Sequence, residues 1–187
     1  MPRCAIPAPP LRLAALGLVL REWTDEDLPA MVGLFDDPEI ARWTPLASPF
    51  DIDAAKRYLS RARELRAEGR RLQLAVTTDG GAPLGEVVAM TSGDDGGEVE
   101  IGYAIGAAHR RQGLSGRAVR LLTAFAYDTL GARRVLLRIE PGNRASSAVA
   151  RATGFWLADE GPVVLRDPDG GVITLWIWEH RRPVDGC

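Results

Sequence analysis

His109-Arg110-Arg111-Gln112-Gly113-Leu114-Ser115-Gly116-Arg117-Ala118 is the stretch on which the reading of this chain turns. It lies between a segment with strand alternation and a long amphipathic run, Leu114 to Leu130, stopped by Gly131. A helix start offers unpaired backbone N–H groups and a partial positive charge, which together suit a phosphate. Gly113 lets backbone approach a bulky anion, and the small Ser115 and Gly116 leave the approach open. Arg110, Arg111 and Arg117 add local positive charge to a chain whose net charge is -2. The same residues would also make a plain basic turn at the head of a helix. No G-x-x-x-x-G-K-[ST] is present, which excludes the P-loop, and no G-x-G-x-x-G follows a first strand.

Upstream of the loop the period is that of strands. Leu72 to Val76, Leu84 to Thr91 and Glu98 to Ile105 alternate, separated by turns at Asp79-Gly80-Gly81 and Asp94-Asp95-Gly96-Gly97, so an antiparallel meander is expected. Leu18 to Trp23 reads as an earlier strand. Thr24-Asp25-Glu26-Asp27 is a helix start, slightly weakened by Pro29, and Asp37-Pro38 is a second start. Asp53 to Glu68 carries apolar residues at helical spacing up to Gly69. Downstream, Val135 to Ile139 is a β-branched strand, Asn143 to Thr153 a short helix closed by Gly154, and Val163 to Trp178 a hairpin turning at Asp167 to Gly171. The expected class is α/β: one domain, a mixed and mostly antiparallel sheet flanked by helices.

The chain's 187 residues suit one domain, and 46% apolar with 26% charged residues is a globular composition. Residues 1–15 read as a Pro-rich leader, 16–182 as the domain and 183–187 as a tail. The near-neutral charge argues against a nucleic-acid or membrane partner. No stretch of about 18 apolar residues exists, so the expected setting is the cytoplasm. Cys4 and Cys187 stand near the two ends, and His109 and His180 are the histidines, a set that makes neither a disulfide framework nor a zinc site. No metal is expected.

Arg110-x-x-Gly113-x-Ser115 resembles the R/Q-x-x-G-x-G/A signature of the GNAT acetyltransferases, with Ser in the last small position. Glu100-Ile101-Gly102-Tyr103 resembles a strand of the branch that contains the ribosomal-protein N-terminal acetyltransferases. Asn143-x-x-Ser146 followed by Gly154-Phe155 is similar to that branch's N-x-x-S…G-F helix, and Leu18 to Arg21 with Asp25 to Asp27 to its opening. The resemblance runs from about Leu18 to Glu179. It implies acetyl-coenzyme A as co-substrate, with the diphosphate held by Arg110, Arg111, Gln112, Gly113, Ser115 and Gly116. It also implies a strand splayed from its neighbour, so that Tyr103, Ala104 and Ile105 pair with pantetheine, and Asn143 on the cofactor.

Acetyl transfer to an amine needs a base for the ammonium proton and a donor for the leaving thiolate. Glu98 and Glu100 point to one face of their strand, and Glu100 matches the family's general-base position. The same alternation also suits a solvated face or an ion pair with an arginine. Ser146 is the candidate donor to the thiolate, or a pantetheine ligand, or simply a residue of the helix start. Many family members place a tyrosine seven residues beyond the Asn; here Ala150 stands there. His109 reads as a lining residue of the loop, Trp176 and Trp178 as core or dimer packing, and Trp43 with Phe50 as walls of an amine pocket. The resulting expectation is an N-acetyltransferase acting on a primary amine, the resemblance favouring a protein or peptide α-amine. A silent acyl-CoA-binding module and a small-molecule amine acetyltransferase are the alternatives, and a homodimer is compatible with either.

Overall fold

The computed structural model describes residues 6–91, 97–166 and 171–182. Both cysteines, and the turn readings at residues 94–96 and 167–170, lie outside the described residues. The segment read as a leader contributes a strand. β1 (Arg12–Ala15) folds back onto β2 (Leu18–Glu22) because Leu16 and Gly17 take left-handed conformations, with φ of 55° and 67°. A one-turn 3-10 helix comes next, closed by the Asp27 carboxylate accepting from Thr24 N at 2.9 Å. Pro29 then falls in the first turn of α1 (Leu28–Phe35), where a missing N–H costs nothing, so it supports that helix. α2 (Pro38–Trp43) is capped by Asp37, whose Oδ1 accepts from Ile40 N at 3.0 Å. Asp51 caps α3 (Ile52–Ala67) in the same way, accepting from Ala54 N at 2.8 Å.

β3 (Arg71–Thr77), β4 (Gly85–Thr91) and β5 (Glu98–Ile105) form the expected meander. After α4 (Leu114–Asp128) the chain adds β6 (Arg134–Ile139), α5 (Arg144–Ala152), β7 (Trp156–Leu157), β8 (Val163–Arg166) and β9 (Val172–His180). The sheet order is β1-β2-β3-β4-β5-β6-β9-β7, with β8 paired to β9. Every pairing is antiparallel except β5 with β6. That one parallel contact is the product of the α4 crossover.

Each sheet face has its own core. Val99, Ile101 and Ile105 of β5 pack with Leu114, Ala118, Val119 and Leu122 of α4, and Tyr103 joins them at the margin. On the other face Trp23, Phe35 and Phe50 pack with α3, and Ala104 of β5 meets them. Consecutive β5 residues thus serve opposite layers, as the two-residue strand period requires. None of the described helices is long and apolar enough to cross a membrane.

Candidate active site

β5 and β6 begin as partners and then separate. Glu98 pairs with Arg134, Val99 with Val135 and Glu100 with Leu136, and there the ladder ends. β5 continues to Ile105 and β6 to Ile139, so a seam opens inside the sheet. Arg134 fastens its closed end. It binds Glu98 at 3.0 Å, Glu179 at 2.5 Å and also Glu160. Glu98 therefore works as part of a structural clip. At the open end, backbone groups on the seam side of both strands lack a strand partner, the arrangement that an extended amide chain would complete.

The loop of Arg110 to Gly113 lies at the end of β5. Arg111 and Gly113 have φ of 63° and 71°, left-handed values on either side of Gln112. Such alternation turns successive N–H groups toward one concavity, an anion-binding nest. Gly113 is the N-cap of α4 and supplies no side-chain cap, and the first turn holds no acidic residue. The helix head is therefore left electropositive and its first N–H groups available. A Cβ built on Gly113 would meet nothing within 4 Å, so the concavity is open. Arg111, Gln112 and Gly113 are exposed, and Ser115 and Gly116 partly so. These residues fit a diphosphate through backbone groups.

The three arginines that give the loop its positive charge have different partners. Arg110 donates from Nε to Ile105 O at 3.1 Å and from Nη2 to Asp37 Oδ1 at 2.8 Å, tying the loop to the cap of α2. Arg117 donates to the carbonyls of Leu16, Gly17 and Gln112, at 3.2, 3.2 and 3.3 Å. Of the three, Arg111 is exposed, and Arg110 and Arg117 are half-buried.

Glu100 sits where the strands part, on the face opposite Tyr103. Its Oε2 lies 3.1 Å from Nη1 of Arg138. Burial raises the Glu100 pKa, and the charges of Arg138 and Arg71 oppose that rise only in part. The sequence reading leaves Arg138 outside the site. The signal for it is the alternation of Arg134, Leu136 and Arg138 along β6, which sets both arginines on the Glu98–Glu100 face.

Across the seam, α5 begins with Asn143, whose Oδ1 accepts from Ser146 N at 3.0 Å. Asn143 thus acts as a helix cap through its oxygen, and its amide NH2 is a separate donor. The Tyr103 hydroxyl reaches the Ser146 carbonyl at 3.5 Å, bridging β5 to this first turn. The site residues Glu100, Tyr103, Ala104, Ile105, Asn143 and Ser146 are thereby gathered on the two lips of one seam. The tryptophan and phenylalanine expected to wall an amine pocket separate. Phe50 is 1% exposed inside the core beside α3, because its ring packs edge-on against Phe35 and Tyr58. Trp43, half-buried, lies against the loop after β6, where a Cβ on Gly142 would come within 3.4 Å of its ring. Trp178 is buried core, with Arg151 stacked 5.1 Å from its ring centroid.

Comparison with known proteins bears on the family and the fold. Residues 17–156 match the family described as the acetyltransferase (GNAT) domain. The chain is 24% identical over 169 residues to the uncharacterized N-acetyltransferase YoaA of Bacillus subtilis, covering 90% of this chain and 89% of the relative. Among solved structures it resembles the RimL ribosomal L7/L12 alpha-N-protein acetyltransferase, with a TM-score of 0.77 and 17% identity, covering 95% of this chain and 99% of that one. It also resembles Mycobacterium smegmatis RimJ in complex with CoA-disulfide, with a TM-score of 0.75 and 19% identity over 92% of this chain and 86% of that one.

Proposed function

We propose that this chain, which belongs to the GNAT acetyltransferase family, is an acetyl-coenzyme A-dependent N-acetyltransferase whose acceptor is a protein or peptide α-amine. Membership rests on a family match over most of the chain, and an acyltransferase activity comes with it. The acceptor is our reading. It is supported by the likeness to a ribosomal-protein α-N acetyltransferase and by the carboxylate at the seam. The observation that carries the whole proposal is the ladder ending at Glu100 and Leu136 beside an uncapped helix head.

In this reading Arg111, Gln112, Gly113, Ser115 and Gly116 hold the diphosphate by backbone N–H groups, with charge from Arg111. Arg110 keeps the loop in shape. The backbone of Tyr103, Ala104 and Ile105 orients the pantetheine arm, and the Asn143 amide and Ser146 line the facing lip. When bound, the cofactor supplies an acetyl group activated as a thioester. Glu100 takes the ammonium proton, directly or through one water, so that a neutral amine is presented. Its burial-raised pKa suits that task, because a base works best when its affinity for the proton approaches that of the operating pH.

The test is thiol release from acetyl-coenzyme A with peptides bearing free or blocked α-amines, beside polyamines and aminoglycosides. Turnover with free α-amines and none with blocked ones is the expected result. Turnover confined to small amines would reassign the acceptor, and cofactor binding without turnover on any amine would make the chain a silent binding module.

A further inference from the structure

We infer that the Tyr103 phenol is the proton donor to the leaving thiolate, a role that rests on the acetyltransferase reading above. The two faces of β5 divide the chemistry. Glu100 lies on the face shared with Ala104 and α3, whereas Tyr103 lies on the face shared with Val99, Ile101, Ile105 and α4. α4 carries the diphosphate nest at its head, so a cofactor held there enters the seam from the Tyr103 side. The amine meets the acetyl carbon from the Glu100 side. The leaving sulfur therefore departs toward the face on which Tyr103 stands.

Tyr103 is also the group in the right place to give a proton. Its residue lies in the stretch of β5 that has parted from β6, past the last rung at Glu100, while its other edge still pairs with Val87 of β4. Its hydroxyl spans the seam to α5, where its hydrogen bond to the Ser146 carbonyl is long at 3.5 Å. A donor with so weak a partner is open to a better acceptor. On α5, Ala150 is fully buried and has no proton to give, and the neighbouring Thr153 commits its hydroxyl to the Val149 and Ala150 carbonyls at 2.8 and 3.1 Å. Ser146, whose carbonyl faces the phenol, carries an aliphatic hydroxyl. Burial raises the Tyr103 pKa, yet a phenol remains far more acidic than an aliphatic alcohol and so is the better partner for a leaving thiolate.

The amine nitrogen forms the new C–N bond, the C–S bond breaks, and its electron pair stays on sulfur. The phenol proton passes to that sulfur, and the phenolate regains a proton from solvent. The ammonium proton leaves by Glu100 to solvent on the opposite face before attack, and the nitrogen gives up its second proton by the same carboxylate, returned to its basic form by exchange with solvent, as the C–S bond breaks. The products are the amide and free coenzyme A.

The experiment compares the full chain with Tyr103→Phe and with 3-fluorotyrosine placed at 103. Coenzyme A affinity is read by calorimetry, and the bound thiol is titrated by its thiolate absorbance. A phenol that donates to sulfur stabilises the thiolate, so in Tyr103→Phe the bound thiol should titrate at higher pH while affinity stays within about twofold. The kcat should fall about a hundredfold. Fluorotyrosine should restore the rate and move its alkaline limb to lower pH, an effect that a merely structural ring would not produce. An unshifted thiol titration in Tyr103→Phe, or a fluorotyrosine limb that stays in place, overturns the assignment. If the parent chain itself fails to bind coenzyme A, the acetyltransferase reading falls with it; if the parent turns over and the titration is unmoved, Tyr103 alone is removed.

Discussion

Arg138 Nη1 stands 3.1 Å from Glu100 Oε2, just beyond the last rung that β5 and β6 share. The pair joins the two lips of the seam at its fork and sets the proton affinity of the proposed base. Burial raises the Glu100 pKa, and the Arg138 charge restrains it. Replacing Arg138 by Gln removes that restraint, so the acid limb of the pH–rate profile should move to higher pH. Glu100→Gln should remove the limb and lower kcat about a hundredfold. Profiles of the three proteins on one amine decide it; a limb that is the same with and without Arg138 would take Glu100 out of the proton path.

Gly113 and Gly131 make a matched pair. Their φ values are 71° and 67°, and neither has an atom within 4 Å of a would-be Cβ. Alanine at either position should cost about 1 kcal/mol, because the left-handed backbone is strained for any L side chain. Only Gly113 faces the proposed diphosphate. Gly113→Ala should weaken coenzyme A binding while Gly131→Ala leaves it unchanged, as calorimetry and urea unfolding of both would show. Equal affinities would move the anion site away from the α4 head.

Much of this architecture is legible in the sequence, because alternation and glycine stops mark the meander and α4 directly. The seam is different. Its strands are ordinary in composition, and only the register ending at Glu100 and Leu136 reveals it, so it enters the sequence reading by family resemblance alone. Side-chain partners are the least legible layer. Arg110 and Asp37 are far apart in sequence, and nothing local tells Arg110 to face a carboxylate instead of a phosphate. Leu16-Gly17 carries a hairpin turn, but the prolines before it favour an unstructured leader when composition alone is weighed. Phe50 looks like a pocket wall in sequence for the same reason that it is core in the fold: its aromatic partners come from α1 and α3.

The Arg110–Asp37 bond holds a cation of the loop away from the proposed diphosphate site that it flanks. Asn at 37 would keep the oxygen that caps α2 while removing the charge that holds Arg110. Asp37→Asn should therefore cost under about 1 kcal/mol, whereas Asp37→Ala should cost about 1–2 kcal/mol through the lost cap. With its partner neutralised, Arg110 becomes available to an anion. Coenzyme A should bind more tightly to Asp37→Asn than to the parent, with a steeper dependence on salt. Weaker binding would instead make the ion pair a support that the nest needs.

Glu86 presents the opposite electrostatic problem. It is 3% exposed and faces the aromatic core, where Tyr58 donates to it at 2.6 Å and Gln73 Nε2 at 3.0 Å. Burial nevertheless raises its pKa, against the pull of Gln73, Tyr58 and Arg71. The folded chain thus holds this proton more firmly than the unfolded chain. The associated stability is complete below the ordinary glutamate pKa and is lost as pH rises through the folded value. Glu86→Gln removes the titration, and its new amide can donate to Gln73 Oε1, a buried acceptor with no hydrogen-bond partner among the described residues of the parent. The variant should match the parent at pH 4 and exceed it at pH 8, by urea midpoint. Glu86→Leu should be less stable than the parent by about 2–3 kcal/mol, since it strands the Tyr58 hydroxyl and the Gln73 amide without an acceptor. A Gln variant that differs from the parent by the same amount at both pH values would mean that Glu86 does not titrate between them, against the raised pKa.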